Sequence, residues 1–135
     1  MKKILFLLAL CCSIGFSATA QKTPPTAVVA AFNKKFQDVK GVEWGKEKNG
    51  EWEAEFKNNG VEMSANFSAD GKWLETETEI KFAELPAAVQ AALKGKKVGE
   101  AAKIVRADGT TVYEAEVRQD LIFDTNGKLQ SQSKE

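Results

Sequence analysis

Hydrophobic positions along the chain switch between two periods. From Pro25 onward, Val28, Phe32, Phe36 and Val39 recur at spacings of four, four and three, which lays one apolar stripe along a helix. From Glu51 the period drops to two. Trp52, Ala54 and Phe56 point one way and Glu51, Glu53 and Glu55 the other, and Val61, Met63, Ala65 and Phe67 alternate likewise against Glu62, Ser64 and Asn66. A second helical stripe follows in Leu85, Val89, Ala92 and Leu93, with Gly95 as its stop. Pro25 and Pro86 fit the first turn of each helix, where a missing N–H costs nothing. Asn49-Gly50, Asn58-Asn59-Gly60, Asp70-Gly71, Asp108-Gly109 and Asn126-Gly127 punctuate the alternating runs and predict hairpins.

The same pattern occurs twice. Residues 25–32 match residues 86–93 at an offset of 61, and Trp52-Glu53-Ala54-Glu55-Phe56 matches Tyr113-Glu114-Ala115-Glu116-Val117 at the same offset. Phe67-Ser68-Ala69-Asp70-Gly71-Lys72 matches Phe123-Asp124-Thr125-Asn126-Gly127-Lys128 at an offset of 56, so the second copy carries a shorter loop. A repeat of this length is a duplicated supersecondary unit and not a solenoid. The expected fold is an α+β domain over 21–135, built of two tandem helix-plus-antiparallel-strand repeats at about 24–82 and 85–133. Together they form one curved antiparallel sheet of about eight strands with both helices on one face. The other face is left to solvent or to a partner.

Which residues line that open face depends on the register at Asp70-Gly71. A two-residue turn pairs Phe67 with Leu74 and sends Trp73, Glu75, Glu77 and Glu79 outward; a three-residue turn with a bulge pairs Phe67 with Trp73 and buries the tryptophan. The first register is preferred because the second, continued along the strand, buries three glutamates. The same rule in the second unit turns Leu129 outward and Gln130 inward, which is its weakness. On the preferred register Trp73, Glu53, Glu55, Glu62, Glu75, Glu77, Glu114 and Glu116 form a candidate partner-binding face, with Glu51 and Glu79 alongside and Lys57, Lys81 and Arg118 as the opposing charges. Acidic neighbours on one sheet face repel each other. Such a face is either a plain solvated surface or a platform for a basic protein or peptide, with Trp73 as its apolar anchor.

The first 20 residues stand apart. Met1-Lys2-Lys3, an apolar run from Ile4 to about Phe16, and Ala18-Thr19-Ala20 have the three-part layout of a cleaved secretory signal, with Gln21 as the first mature residue. Cys11 and Cys12 both lie inside it. A lipidated Cys11 is the rival reading, but the bulky Leu10 precedes it where a small residue is expected. Cleavage removes two of the 19 basic side chains and leaves a cysteine-free chain with a net charge of −2. The expected location is the periplasm or the exterior, with no membrane insertion after cleavage.

Composition narrows the chemistry. Charge near neutral offers no basic face for nucleic acid. The chain contains no histidine, which removes the commonest general base and the commonest metal ligand. Ser64, Ser68, Ser131 and Ser133 therefore lack a partner to activate them, no glycine-rich phosphate loop occurs, and nothing sets two glutamates apart as an acid–base pair. Asp70-Gly71 and Asp124-Thr125-Asn126-Gly127 lack the spacing of a calcium loop and read as turns. No catalytic residue, cofactor or metal is expected.

Leu85-Pro86-x-x-Val89, Tyr113-Glu114-Ala115-Glu116, Phe123-Asp124-x-Asn126-Gly127-Lys128-Leu129 and Asp70-Gly71-Lys72-Trp73-Leu74-Glu75-Thr76-Glu77 together resemble the PepSY-like family. These are small exported bacterial proteins, common in the Bacteroidetes and grouped with β-lactamase-inhibitor-like folds. The resemblance implies a tandem α-then-β arrangement with a curved sheet whose open face can grip a partner, and it carries over no catalytic residue. The functional expectation is a non-enzymatic exported binding module, a protein or peptide binder or inhibitor acting through the open face of its sheet; the alternative is a structural or envelope-stress component without a specific ligand.

Overall fold

The computed structural model describes residues 23–117 and 120–133; the expected leader over 1–20 lies outside them, as does Arg118. Helix α1 (Thr26–Lys35) opens the fold. Pro25 sits one place before the helix, with φ −56° and ψ 148°, and its carbonyl accepts the N–H groups of Val28 and Val29 at 2.9 and 3.2 Å. Pro86 repeats this before α2 (Ala87–Ala92), with φ −53° and ψ 143°. Both prolines thus fix the entry to the helix from the cap position and not from within its first turn. Leu85, Val89 and Leu93 are buried as the periodicity requires, whereas Ala92 faces solvent.

Eight strands form one sheet in chain order: β1 (Glu43–Lys46), β2 (Trp52–Asn58), β3 (Val61–Phe67), β4 (Trp73–Ile80), β5 (Ala101–Arg106), β6 (Thr111–Glu116), β7 (Asp120–Phe123) and β8 (Leu129–Gln132). Every neighbouring pair is antiparallel. A 3₁₀ turn (Phe82–Glu84) and α2 occupy the connection between β4 and β5. The pairings Ala65–Thr76, Ile80–Ala101 and Ala101–Ala115 carry one face across the sheet, so the residues beneath α1 and those beneath α2 lie on the same side. This is the expected α+β architecture with both helices on one face.

The helix side holds two separate cores. Under α1, Val28 and Phe32 pack on Trp52, Ala54, Phe56, Ala65 and Phe67. Phe32 is the hub, with ring centroids of Phe56, Phe36 and Trp44 at 5.0, 5.1 and 5.4 Å. Such tilted and edge-to-face contacts add to the burial of area. Under α2, Leu85, Val89 and Leu93 pack on Ala101, Ala115, Leu121 and Phe123. Between the two runs a polar strip in which Thr78 pairs with Lys103 and Lys103 with Tyr113.

The turns tie the sheet to the helices. Ser68 and Asp124 each start a three-residue loop: the Ser68 carbonyl accepts the Gly71 N–H at 2.9 Å, and the Asp124 carbonyl accepts the Gly127 N–H at 3.1 Å. Gly71 and Gly127 have φ of +87° and +78° and lie against the first turn of α1 and α2, respectively. A Cβ on Gly71 would meet the Ala27 carbonyl oxygen at 2.6 Å, and one on Gly127 would collide with that of Ala88. Gly109, with φ +86°, has open space around it. Gly109→Ala should therefore cost only the left-handed strain of about 1–2 kcal/mol. Gly71→Ala adds a backbone clash and should cost about 2–4 kcal/mol. Urea midpoints of the two variants check this, and equal losses would mean that the turn does not bear on the helix.

Candidate functional site

Strand pairing arranges the helix-free face in rows. One row runs Glu53, Asn66, Glu75, Arg106; the next Glu55, Ser64, Glu77, Ile104, Val112; a third Glu79, Ala102, Glu114, Ile122, Ser131. Glu62 and Glu116 follow by alternation from their strand neighbours. The seven glutamates of the candidate partner-binding face, Glu53, Glu55, Glu62, Glu75, Glu77, Glu114 and Glu116, therefore stand on one side of the sheet, with Glu79 beside them.

They are not equivalent. Glu77 sits between Ser64 and Ile104 and is only 6% exposed. Its Oε1 is buried and has no hydrogen-bond partner. Burial first, then the charges of Glu114, Glu75, Glu53 and Asp120, push its carboxyl up to about 10. Glu53 is raised to about 7, by burial and then by Glu55 and Glu47, against a hydrogen bond donated by the Ser64 hydroxyl. Glu114 is raised to about 7 by burial, Asp120, Glu75 and Glu116. Three neighbouring carboxyls are thus held towards their neutral forms by crowding on one face. The basic groups nearby are committed at the edges of the array: Lys57 Nζ lies 2.7 Å from Glu62 Oε1, and Arg106 Nε lies 3.4 Å from Glu75 Oε2. Exposed pairs of this kind contribute little.

Sequence reasoning missed the apolar half of this face. Ala102, Ile104 and Val112 are buried yet belong to neither core under the helices. Ile104 stands opposite both Glu77 and Val112, and Ala102 opposite Glu114. The signal was available in Ala101-Ala102-Lys103-Ile104-Val105, an apolar run without strict alternation, which marks a strand covered on both faces.

Trp73 is a correction. The strand uses both registers in turn. Phe67 pairs with Trp73, and after a bulge at Leu74, Asn66 pairs with Glu75 and Ala65 with Thr76. The three-residue turn brings the tryptophan to the helix side, and the extra residue then resets the phase so that Glu75 and Glu77 still point to the other face. Trp73 packs against the α1 core, its Nε1–H donates to Thr76 Oγ1 at 2.9 Å, and Lys35 Nζ lies 3.5 Å from its ring centroid. It is half-buried scaffold and no part of the acidic face. The second unit repeats the device: Phe123 pairs with Leu129 and Ile122 with Ser131, which removes the inward Gln130 of the simpler register.

Among the described residues, no group of three or more acidic, cysteine or histidine side chains is arranged to hold a metal ion. The Asp124 carboxylate is used by its own turn, accepting the N–H groups of Asn126 and Lys128 at 2.9 and 3.0 Å.

Among the described residues the molecule is an open antiparallel sheet backed by both helices on one face, with the glutamates on the other. The family model for beta-lactamase-inhibitor-like, PepSY-like proteins matches residues 50–131, and the chain belongs to that family. The family is inhibitor-like and is not one of known enzymes. Among solved structures, a Bacteroides eggerthii protein described as periplasmic is similar at 20% identity and TM-score 0.76, over 83% of this chain and 89% of the other. A DUF2874 family protein of Bacteroides ovatus matches at 22% identity and TM-score 0.74, over 82% and 87%. A BLIP-like protein of Bacteroides fragilis matches at 24% identity and TM-score 0.66, over 83% and 86%. At these identities the likeness is one of fold. No curated protein matches the chain. No described helix is long and apolar enough to cross a membrane.

Proposed function

We propose that the protein is a non-enzymatic module, exported to the periplasm or beyond, that binds a basic protein or peptide on its helix-free sheet face. The observation that carries this reading is the gathering of Glu53, Glu77 and Glu114 on one face, each half-buried or buried and each crowded by further carboxylates whose repulsion a cationic partner would relieve. The inhibitor-like family supports binding over catalysis.

The test is affinity capture from the envelope fraction of Bacteroides cells, with the double reversal Glu53→Lys/Glu114→Lys as the control. A stoichiometric basic partner should be held by the wild type at low salt, released as ionic strength shortens the screening length to about 8–10 Å, and absent from the reversed variant. Capture that ignores both salt and reversal would move the binding site to another surface. Absence of any partner would leave the second reading, an envelope component without a specific ligand.

A further inference from the structure

The buried Oε1 of Glu77, without a protein hydrogen-bond partner among the described residues, sets this carboxyl apart on the acidic face. A carboxylate on an open sheet face can normally turn to water, but this one is 94% removed from solvent and still has no hydrogen-bond donor on Oε1. Buried polar atoms in folded proteins are nearly always paired, so an orphan aimed into a surface cluster marks the place of a missing donor. Its surroundings describe that donor. From β4 itself Glu75 and Glu79 flank it; from β2 and β3 come Glu53, Glu55 and Glu62 with the Ser64 hydroxyl; from β6 and β7 come Glu114, Glu116 and Asp120. Of the two cations on the adjoining strand β5, Arg106 is drawn to Glu75, and Lys103 stands on the helix side opposite Thr78. Directly across from Glu77 lies Ile104, with Val112 beyond it.

Negative charge on three sides and buried aliphatic side chains on the fourth suit a weakly hydrated cation. Ile104 and Val112 are themselves buried, so the setting of Glu77 is dry, and a small ion that holds its water tightly is poorly suited to it. Guanidinium is less strongly hydrated than ammonium and offers several N–H groups in a fixed fork. We infer that Glu77, flanked by Glu53 and Glu114 and bordered by the buried Ile104 and Val112, is the receptor for one arginine side chain of a polypeptide partner. Burial and the neighbouring carboxylates raise the Glu77 carboxyl, so its pairing with a guanidinium is coupled to release of a proton. This rests on the helix-free face being the binding face. It adds that recognition there is focused on a single buried contact linked to pH, where a diffuse charge match would not be.

The probe is the blocked peptide acetyl-Leu-Arg-Leu-amide, titrated into the full chain with the Glu77 carboxyl carbon and the Ile104 and Val112 methyl groups followed by NMR. Saturable shifts at all three are expected, with affinity rising about tenfold per pH unit between about pH 8 and about pH 9, the slope of one released proton, above the range in which Glu53 and Glu114 lose theirs. Glu77→Gln keeps the shape of the neutral acid; it should weaken binding at least tenfold and abolish the slope. The citrulline peptide should not bind. Calorimetry of the wild type in two buffers of different ionisation enthalpy counts the released proton without any variant. Equal binding by Glu77→Gln or by the citrulline peptide, no proton release, or no saturable shift each overturns the inference. A captured partner that survives Glu77→Gln but not the Glu53/Glu114 reversal would overturn it while leaving the binding reading intact; loss of capture under every condition would remove that reading first.

Discussion

Truncating Phe32 to alanine is expected to remove about 3–5 kcal/mol of folding free energy. The side chain is 1% exposed and stands at the meeting point of α1, β1, β2 and β3, with Phe36, Phe56, Trp44 and Phe67 around it. Its loss opens a cavity that four aromatic neighbours, already interlocked, cannot close by small shifts. A domain of this size has about 5–15 kcal/mol in all, so the variant should sit near the edge of unfolding. The urea midpoint measures it. A loss below about 1 kcal/mol would mean that α1 does not depend on this ring for its seat on the sheet.

The second large effect is one of pH. Glu77 loses its proton near 4.5 in the unfolded chain but keeps it to about 10 in the folded one. Between those values the folded state holds more protons than the unfolded state, so stability falls as pH rises. The stabilising share of that proton is fully present below 4.5 and gone above about 10. Glu53 and Glu114, raised to about 7, add the same sign between 4.5 and about 7. The wild type should therefore be more stable in mild acid than at alkaline pH, within the limit set by its other carboxylates. Glu77→Gln removes the largest contribution, and around pH 8 it should be more stable than the wild type by roughly 2–4 kcal/mol, less than the full linkage value because water and relaxation soften it. Thermal melts of both proteins across the range would show converging curves in acid and diverging ones in base. Parallel curves would place Glu77 in water.

How far the molecule could be read from its residues follows from what each local signal constrains. Alternation in β2 and β3 settled the facing of Trp52, Ala54, Phe56, Ala65 and Phe67, because a half-buried strand has only two ways to point. The turn pairs marked the hairpins, and Asn59-Gly60 does form a tight turn with φ of 49° and 83°. Trp73 could not be placed by such rules, since its position depends on a bulge at Leu74 and a single inserted residue leaves no trace in composition. Choosing one uniform register for β4 forced a choice between burying Trp73 and exposing the glutamates; the strand changes phase and does both. The acidic face was legible because its glutamates alternate. Its gradation was not. That Glu77 is enclosed while Glu55 is exposed depends on which neighbours cross from β3, β5 and β6, and only the assembled sheet sets that.

The order of the strands has a consequence for how the chain reaches this state. Each strand pairs only with its neighbours in the chain, the six inner ones with the strand before and the strand after, and none waits for a distant partner. Apart from the segment carrying α2, the loops to be closed are only a few residues long, so little entropy is lost before each new hairpin gains its contacts. Assembly can therefore proceed as a zipper from the first hairpin, each strand laid on the last as it becomes available. A polypeptide delivered end first, from a ribosome or through a narrow pore, meets no topological obstacle on that route and exposes only one growing edge at a time.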